Sequence, residues 1–150
     1  MAGQPAIRKM QLEDLNTVIK IEEEAFKDTT WTIEAYTREL VMNQFAHYFI
    51  LEIDDEIVGY TGIWLVIDQC QITTVAIKKS MRGKGYSHLL MEHIKEFVRG
   101  QADTISLEVR VDNTPALTLY EKSGFNYGGV RKNYYGEGLD AHVMWVNIDE

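Results

Sequence analysis

The stretch VAIKKSMRGKGYS, residues 75–87, reads as a buried strand, a short basic turn and a glycine-rich loop that leads into a helix. After Ser87, mostly apolar side chains recur at intervals of three and four residues, which predicts an amphipathic helix; they are Leu89, Leu90, His93, Ile94, Phe97 and Val98. A helix that begins after glycines presents unpaired backbone N–H groups and the positive end of its dipole. Because Arg82 and Lys84 add positive charge, the stretch predicts an anion site, most simply for a phosphate group.

The length of the chain, 150 residues, fits one domain with a substantial core, so we expect a single domain over residues 1–150. There is no apolar run of eighteen residues, and the first ten residues lack the apolar segment of a signal peptide. We therefore expect no membrane association. The single cysteine, Cys70, fits a cytoplasmic location and lies in a predicted strand, which favours a structural role.

The charge balance is acidic, with 23 acidic and 15 basic residues and a net charge of −8. A surface that binds nucleic acid needs an excess of Lys and Arg, so we expect no direct nucleic-acid partner. The acidity suits a cationic acceptor such as an amine or a basic peptide. It is equally explained by solubility alone.

The order of predicted elements is βααβββαβαββ. Strands are predicted near 6–10, 47–53, 57–67, 71–77, 104–110, 125–131 and 140–148, and helices near 12–26, 32–43, from 87 onward, and 114–123. This order indicates a mixed α/β sheet with helices on both faces. The acidic run Glu22-Glu23-Glu24 in the first helix is expected to lie mostly in solvent, because no further ligand residue has metal-site spacing to it.

Two side chains in the second half of the chain could carry chemistry. In the strand 104–110, alternation puts Glu108 on the face opposite Leu107. If that strand is covered on both faces, Glu108 lies in a cleft; if not, it is an ordinary surface carboxylate. Tyr120, in the helix 114–123, could be a core residue or a proton donor. The four histidines, His47, His88, His93 and His142, show no ligand-like spacing, so no metal is expected.

Several motifs resemble those of the GNAT (GCN5-related N-acetyltransferase) family. Arg82-Gly83-Lys84-Gly85-Tyr86-Ser87 is similar to its (Arg/Gln)-x-x-Gly-x-(Gly/Ala) loop, with Ser87 in place of the last small residue. SLEVRVDNTPA at 106–116 and LYEKSGF at 119–125 resemble its LEVR…N…A…LY…GF signature. RKNYY at 131–135, followed by Asp140-Ala141 and Met144, resembles the RimI-type branch, the ribosomal-protein alanine N-acetyltransferases. The Trp31-Thr32 pair is also found there.

This resemblance implies a GNAT fold, a single mixed and mostly antiparallel sheet of six or seven strands flanked by about four helices. It also implies acetyl-coenzyme A as cosubstrate, without a metal. The strand Val75-Ala76-Ile77 would pair with the pantetheine amides, and Asn113 would contact the cofactor arm. The pyrophosphate would be held by the backbone N–H groups of Arg82, Gly83, Lys84, Gly85, Tyr86 and Ser87.

The resemblance further implies the catalytic roles. Glu108 would act as general base through a water, and Tyr120 would protonate the departing thiolate of coenzyme A. Tyr134 and Trp31 would line the slot for a peptide N-terminus. The amine attacks the thioester directly, so no enzyme nucleophile is needed, and a backbone N–H near Ile77 is a candidate donor to the charge that develops on the carbonyl oxygen.

Three functions are compatible with these residues. The first is acetylation of a protein N-terminal α-amine, with a basic ribosomal protein that begins with Ala as the expected acceptor. The second is acetylation of a small amine, such as a polyamine or aminoglycoside. The third is a coenzyme A-binding module without catalysis, which the joint presence of Glu108 and Tyr120 argues against. The oligomeric state is not predicted.

Overall fold

The computed structural model describes residues 3–26 and 31–148. In these ranges the strands are β1 Pro5–Lys9, β2 Ala46–Ile53, β3 Glu56–Val66, β4 Gln69–Ile77, β5 Thr104–Arg110, β6 Asn126–Arg131 and β7 Ala141–Asn147. The helices are α1 Leu15–Ala25, α2 Ile33–Met42, α3 Tyr86–Val98 and α4 Thr114–Lys122, and a 3-10 turn at Leu12–Asp14 precedes α1. The predicted order is confirmed, and most boundaries differ from the prediction by one or two residues.

The strands form one seven-stranded sheet in the order β1-β2-β3-β4-β5-β7-β6. All neighbours are antiparallel except β4 and β5, which run parallel. The parallel pair needs a crossover connection, and α3 supplies it. The predicted mixed, mostly antiparallel sheet with four flanking helices is confirmed. None of the helices in the described ranges is long and apolar enough to cross a bilayer.

Apolar side chains bury both faces of the sheet. On one face α1 and α2 pack on the middle strands through a cluster that includes Val18, Tyr36, Tyr48, Ile50 and Tyr60. On the other face α3 and α4 pack through clusters that include Met91, Ile94, Ile105, Leu107, Phe125 and Leu90. Cys70 belongs to this second core at 1% exposure, and burial raises the pKa of its thiol to about 12. The thiol of Cys70 therefore stays protonated at neutral pH, which agrees with the predicted structural role.

The expectation for the acidic run in α1 was wrong at Glu22, whereas Glu23 and Glu24 are exposed. Glu22 is only 3% exposed, and its Oε1 accepts hydrogen bonds from the hydroxyls of Tyr36, at 2.7 Å, and Tyr60, at 2.5 Å. These bonds supply the polar partners that a buried carboxylate requires. Glu22 thereby joins α1 to α2 and β3.

Helix starts follow their local sequence signals. The Oγ1 atom of Thr32 accepts from the backbone N–H of Ala35 at 3.1 Å, which confirms the predicted N-cap of α2. At α4 the Oδ1 atom of Asn113 accepts from the N–H of Ala116 at 3.3 Å, and Pro115 lies in the first turn. These caps fix where α2 and α4 begin.

Candidate active site

Strands β4 and β5 are paired over three residues only and then part. The pairs are Gln69 with Thr104, Cys70 with Ile105, and Gln71 with Ser106. Beyond them β4 continues to Ile77 and β5 to Arg110, while the other edge of β4 stays paired with β3. In the described ranges the β5-facing edge of residues 72–77 therefore has no strand partner. We call this opening the β4–β5 fork.

The free edge suits an extended ligand that carries amide groups. Unpaired N–H and C=O groups along a strand bind such a ligand as a further strand would be bound. Val75, Ala76 and Ile77, to which the family resemblance gives pantetheine binding, lie in this stretch and pair on their other side with Thr61, Tyr60 and Gly59.

A β-bulge at Thr73 bends β4 where the fork opens. Gly62 of β3 is paired with Thr74 and the next residue, Ile63, with Ile72, so Thr73 is not paired with a residue of β3. One extra residue moves the following side chains to the opposite face, so Ile72 packs in the α3 core whereas Ala76 packs under α1 and α2. The Thr73 hydroxyl lies 3.2 Å from the hydroxyl of Tyr48. The bulge is thus held from the α1–α2 face.

At the wide end of the fork, the glycine-rich loop turns into α3. Gly83 and Gly85 have φ of +79° and +82°, and a Cβ atom at either position would meet nothing within 4 Å. Gly85 is the N-cap of α3, and no described side chain caps the first turn of that helix. The loop from Gly83 to Ser87 therefore presents backbone N–H groups to open space, as an anion site requires.

Arg82 is committed to holding this loop on the strand. Its Nε donates to the carbonyl oxygen of Ile77 at 3.0 Å, and its backbone N–H points at the carbonyl of Lys79 at 3.4 Å. Glu24 of α1 accepts from the N–H of Lys79 at 2.6 Å. Arg82 thus differs from the five residues after it, because its backbone N–H already has an acceptor. The side chains of Arg82 and Lys84 are both exposed.

Glu108 lies at the narrow end of the fork. Burial alternates along β5, with Ile105, Leu107 and Val109 in the α3–α4 core, so Glu108 faces the other side, as the alternation predicted. Its side chain is 11% exposed. One carboxylate oxygen, Oε2, accepts from Nε2 of Gln71 at 2.6 Å, and the other, Oε1, lies 3.5 Å from Nε of Arg131. Glu108 is therefore in a cleft rather than on an open face.

The loop between β6 and β7 covers Glu108. The Tyr135 hydroxyl donates to the backbone oxygen of Glu108 at 3.1 Å. The rings of Tyr134 and Tyr135 meet edge to face at 4.9 Å, and the Arg131 guanidinium lies 5.8 Å from the centre of the Tyr134 ring. Desolvation and the charge of Glu108 raise the pKa of Tyr134. Tyr134 is thus brought to the same place as Glu108.

Tyr120 lies on the opposite side of β5, in the α3–α4 core. It is 8% exposed, and its ring lies 5.7 Å from that of Phe125. Burial, and to a lesser extent Tyr135, raise the pKa of its phenol. The hydroxyl of Tyr120 is therefore in its neutral, protonated form at neutral pH.

Trp31 and Asn113 lie at the starts of α2 and α4. Trp31 precedes α2 and packs on Tyr36, with ring centres 4.8 Å apart, so it lies on the α1–α2 face. Asn113 uses Oδ1 as the cap of α4, which leaves its Nδ2 group for a ligand. Among residues 3–26 and 31–148, no group of three or more His, Cys, Asp and Glu side chains is arranged to hold a metal ion.

Sequence reasoning gave no role to Gln71 or Arg131. Both contact Glu108 only because the sheet brings together residues far apart in the chain. Arg131 had a signal, since it begins the RKNYY motif. Gln71 had none, because its contact depends on the register between two strands separated by α3.

Comparison with known proteins decides the family. The model of the acetyltransferase (GNAT) family matches residues 12–125. The chain is a member of the GNAT acetyltransferase family. Proteins of this family use acetyl-coenzyme A as cosubstrate. The free edge of β4 and the open space before α3 fit its amide-bearing arm and its pyrophosphate.

Relatives in sequence extend over the whole chain. A Bacillus subtilis protein, named as a candidate [ribosomal protein bS18]-alanine N-acetyltransferase, is 44% identical over 152 aligned residues that cover 100% of both chains. The Mycobacterium tuberculosis N-alpha-acetyltransferase RimI is 33% identical over 122 residues, which cover 78% of this chain and 75% of the relative.

The fold is shared with a solved structure. The crystal structure of the Escherichia coli ribosomal-protein-S18-alanine N-acetyltransferase superposes with a TM-score of 0.86 at 24% identity. The match covers 98% of this chain and 96% of that one. At this identity the likeness establishes the GNAT fold alone.

Proposed function

We propose that this chain transfers the acetyl group of acetyl-coenzyme A to the N-terminal α-amine of a protein, and that the acceptor is a ribosomal protein beginning with alanine. The observation that carries the proposal is the cleft carboxylate of Glu108 at the narrow end of the β4–β5 fork. The names of the two sequence relatives support the α-amine as acceptor. A ribosomal acceptor implies a cytoplasmic location.

The proposed role of Glu108 follows from the charge of the acceptor. An α-amine has a pKa of about 8, so at neutral pH it is mostly an ammonium and must lose a proton before it attacks. Glu108 would take that proton at Oε1, directly or through one water. The positive charge of Arg131 already lies 3.5 Å from this oxygen, so a cation is tolerated there.

Tyr120 is proposed as the proton donor to the leaving group. Acetyl-coenzyme A supplies an activated thioester, and its thiol has a pKa of about 8.5 by analogy with cysteine. A tyrosine phenol has a pKa of about 10 and carries its proton at neutral pH, and burial keeps Tyr120 in that form, so its hydroxyl is available to protonate the developing thiolate. The two proposed groups lie on opposite faces of β5, and Tyr135 is near both: its hydroxyl donates to the backbone oxygen of Glu108, and it contributes to the raised pKa of Tyr120.

The register argues against Ile77 as the donor to the carbonyl oxygen. The pairing of Gln71 with Ser106 sets Glu108 level with Thr73, four residues before Ile77. At about 3.3 Å per residue this separation is about 13 Å along the strand. A backbone N–H at the bulge around Thr73 and Thr74 is the better-placed donor, and Ile77 is left to the cofactor arm.

Tyr134, Tyr135 and Arg131 would line the acceptor side next to Glu108, with Trp31 as a more distant wall before α2. Aromatic walls suit a short peptide backbone that carries a small side chain such as that of alanine. The net charge of −8 favours the approach of a basic protein.

An acceptor panel tests the proposed function. The purified protein receives acetyl-coenzyme A with an Ala-initiated basic peptide, the same peptide with a blocked N-terminus, or spermidine. We expect turnover with the free peptide alone. Turnover with spermidine alone would replace the proposal by small-amine acetylation, and binding of acetyl-coenzyme A without turnover would favour the non-catalytic module.

A further inference from the structure

We propose that Gln71 is a positioning residue for Glu108: its side-chain amide fixes Oε2 of the carboxylate, so that Oε1 is the oxygen turned toward the acceptor. The inference rests on the proposed function, in which Glu108 is the base. The Nε2···Oε2 distance of 2.6 Å is the observation behind it. An ionised carboxylate only accepts hydrogen bonds, so the amide nitrogen must face it.

Gln71 is built into the sheet at the last point where β4 and β5 are paired. Its backbone is in register with Ser106 on one side and with Trp64 on the other. The Trp64 indole N–H in turn donates to Oε1 of Glu39 at 2.6 Å, which ties this neighbour to α2. A side chain that starts from a strand fixed on both edges places its amide with little freedom.

The second oxygen of Glu108 has a different partner. Arg131 approaches Oε1 at 3.5 Å from a side chain that is 60% exposed. Because the Arg131 guanidinium is largely in solvent and 3.5 Å from the oxygen, the pair is loose, and an incoming cation can take its place. Glu108 therefore has one oxygen fixed by a neutral donor and one whose partner is exchangeable, as a base with a single working oxygen requires.

The test compares Gln71→Met with Gln69→Met. Methionine keeps the length of the side chain and removes the donor. Gln69 lies two residues earlier on β4 and is exposed, so it controls for the same change on the same strand. We expect Gln71→Met to lower kcat about 10- to 100-fold, as loss of a hydrogen bond to a charged group implies. The KM of Gln71→Met for acetyl-coenzyme A should equal that of the wild type. The Gln69→Met variant should have the wild-type kcat and KM.

The pH dependence separates positioning from packing. An amide donor stabilises the ionised carboxylate over the neutral acid, so its loss should move the acid limb of the kcat/KM profile to higher pH. Gln71→Asn, which retains the amide but withdraws it by one methylene, should show the same shift to a smaller extent. It keeps the test valid if the methionine variant does not fold.

A double-mutant cycle with Glu108→Gln distinguishes the positioning role of Gln71 from the role of Glu108 as the base. If Gln71 acts through Glu108, Gln71→Met should have no further effect on the residual rate of Glu108→Gln. Equal losses in both backgrounds, or a lower Tm with an unmoved pH profile, would overturn the positioning role and leave the proposed function intact. Full activity in Glu108→Gln would instead overturn the assignment of the base.

Discussion

Tyr120 combines two environments that the sequence left as alternatives. It packs in the α3–α4 core against Phe125, and its pKa is raised by burial. A core position and a role as proton donor are therefore compatible, because the apolar surroundings keep the phenol protonated.

Removing this hydroxyl tests the role. We expect Tyr120→Phe to lower kcat about 100-fold, since loss of a general acid typically costs 10²–10⁴-fold, with unchanged affinity for acetyl-coenzyme A by calorimetry. Tyr127→Phe removes a hydroxyl from a residue that is 48% exposed on β6, and serves as the matched control. Equal kcat in the wild type and Tyr120→Phe would reduce Tyr120 to a core residue.

The burial of Glu22 was indicated by the spacing of residues in α1, although it was not predicted. Position 22 is four residues after Val18 and seven after Leu15, which places it on the apolar stripe of α1. Because Glu22 is followed by two acidic residues, which are both exposed, the whole run was expected to be in solvent. Burial was affordable only because Tyr36 and Tyr60, from two other elements, supply hydroxyl donors, and no local pattern reports such partners.

At the scale of elements, the loop before α3 depends on glycine for two reasons that can be separated. Gly85 has φ +82°, where a β-branched residue is strained, and it faces open space that the pyrophosphate is proposed to occupy. Gly100 has φ +81° and equally open surroundings, but it lies beyond the opposite end of α3 from the loop.

The pair gives a matched comparison. Gly85→Val and Gly100→Val should lower the Tm by similar amounts, because the backbone strain is alike. Only Gly85→Val should weaken acetyl-coenzyme A binding, by tenfold or more in calorimetric Kd, because a side chain would occupy the approach of the phosphate. Equal Kd values for the two variants would remove the loop from the binding site.

The packing of α3 on β2 predicts a loss of stability in acid. The His93 ring of α3 lies 4.5 Å from the ring of Phe49, and its buried Nε2 has no hydrogen-bond partner in the part of the chain that the structure describes. Burial lowers the pKa of His93. The pKa of His47 on β2 is lowered as well, by burial and by Lys9. The unfolded chain therefore takes up protons from about pH 6.5 downward, before the folded chain does.

The free energy of unfolding should accordingly be level between about pH 7 and 8 and fall as the pH drops through 6. His93→Phe should reduce the size of this fall, measured by urea denaturation at pH 7.5 and 5.5. The exposed His88 provides the control, and His88→Gln should leave the fall unchanged. A fall of wild-type size in His93→Phe would show that His93 does not contribute.

At the scale of the whole molecule, local signals predicted most of the architecture. Helix caps such as Thr32 and Asn113 depend only on neighbouring residues, and so does the alternation along β5. The order of the elements and the face of Glu108 could therefore be predicted from the sequence. The strand register, the bulge at Thr73 and the parting of β4 from β5 depend on contacts between distant residues. Gln71 lies where these non-local features meet, and for that reason it emerged only from the structure.

The roles of Glu108, Tyr120, the loop 82–87 and Asn113 remain predictions whose geometry is now specified. The family model and the full-length relative establish the family, and the fork is the place that we propose for its cosubstrate. The acceptor is the part of the account that neither local pattern nor fold determines, because amine acceptors of many kinds can meet a similar cleft.

The most direct test of α-amine acetylation is to locate the acetyl group in a peptide that offers both kinds of amine. An Ala-initiated basic peptide with internal lysines is incubated with the protein and acetyl-coenzyme A, and the product is sequenced by tandem mass spectrometry. We expect acetylation on the α-nitrogen of the first alanine, with the lysine side chains unmodified. Acetyl groups on the lysines with a free N-terminus would contradict it.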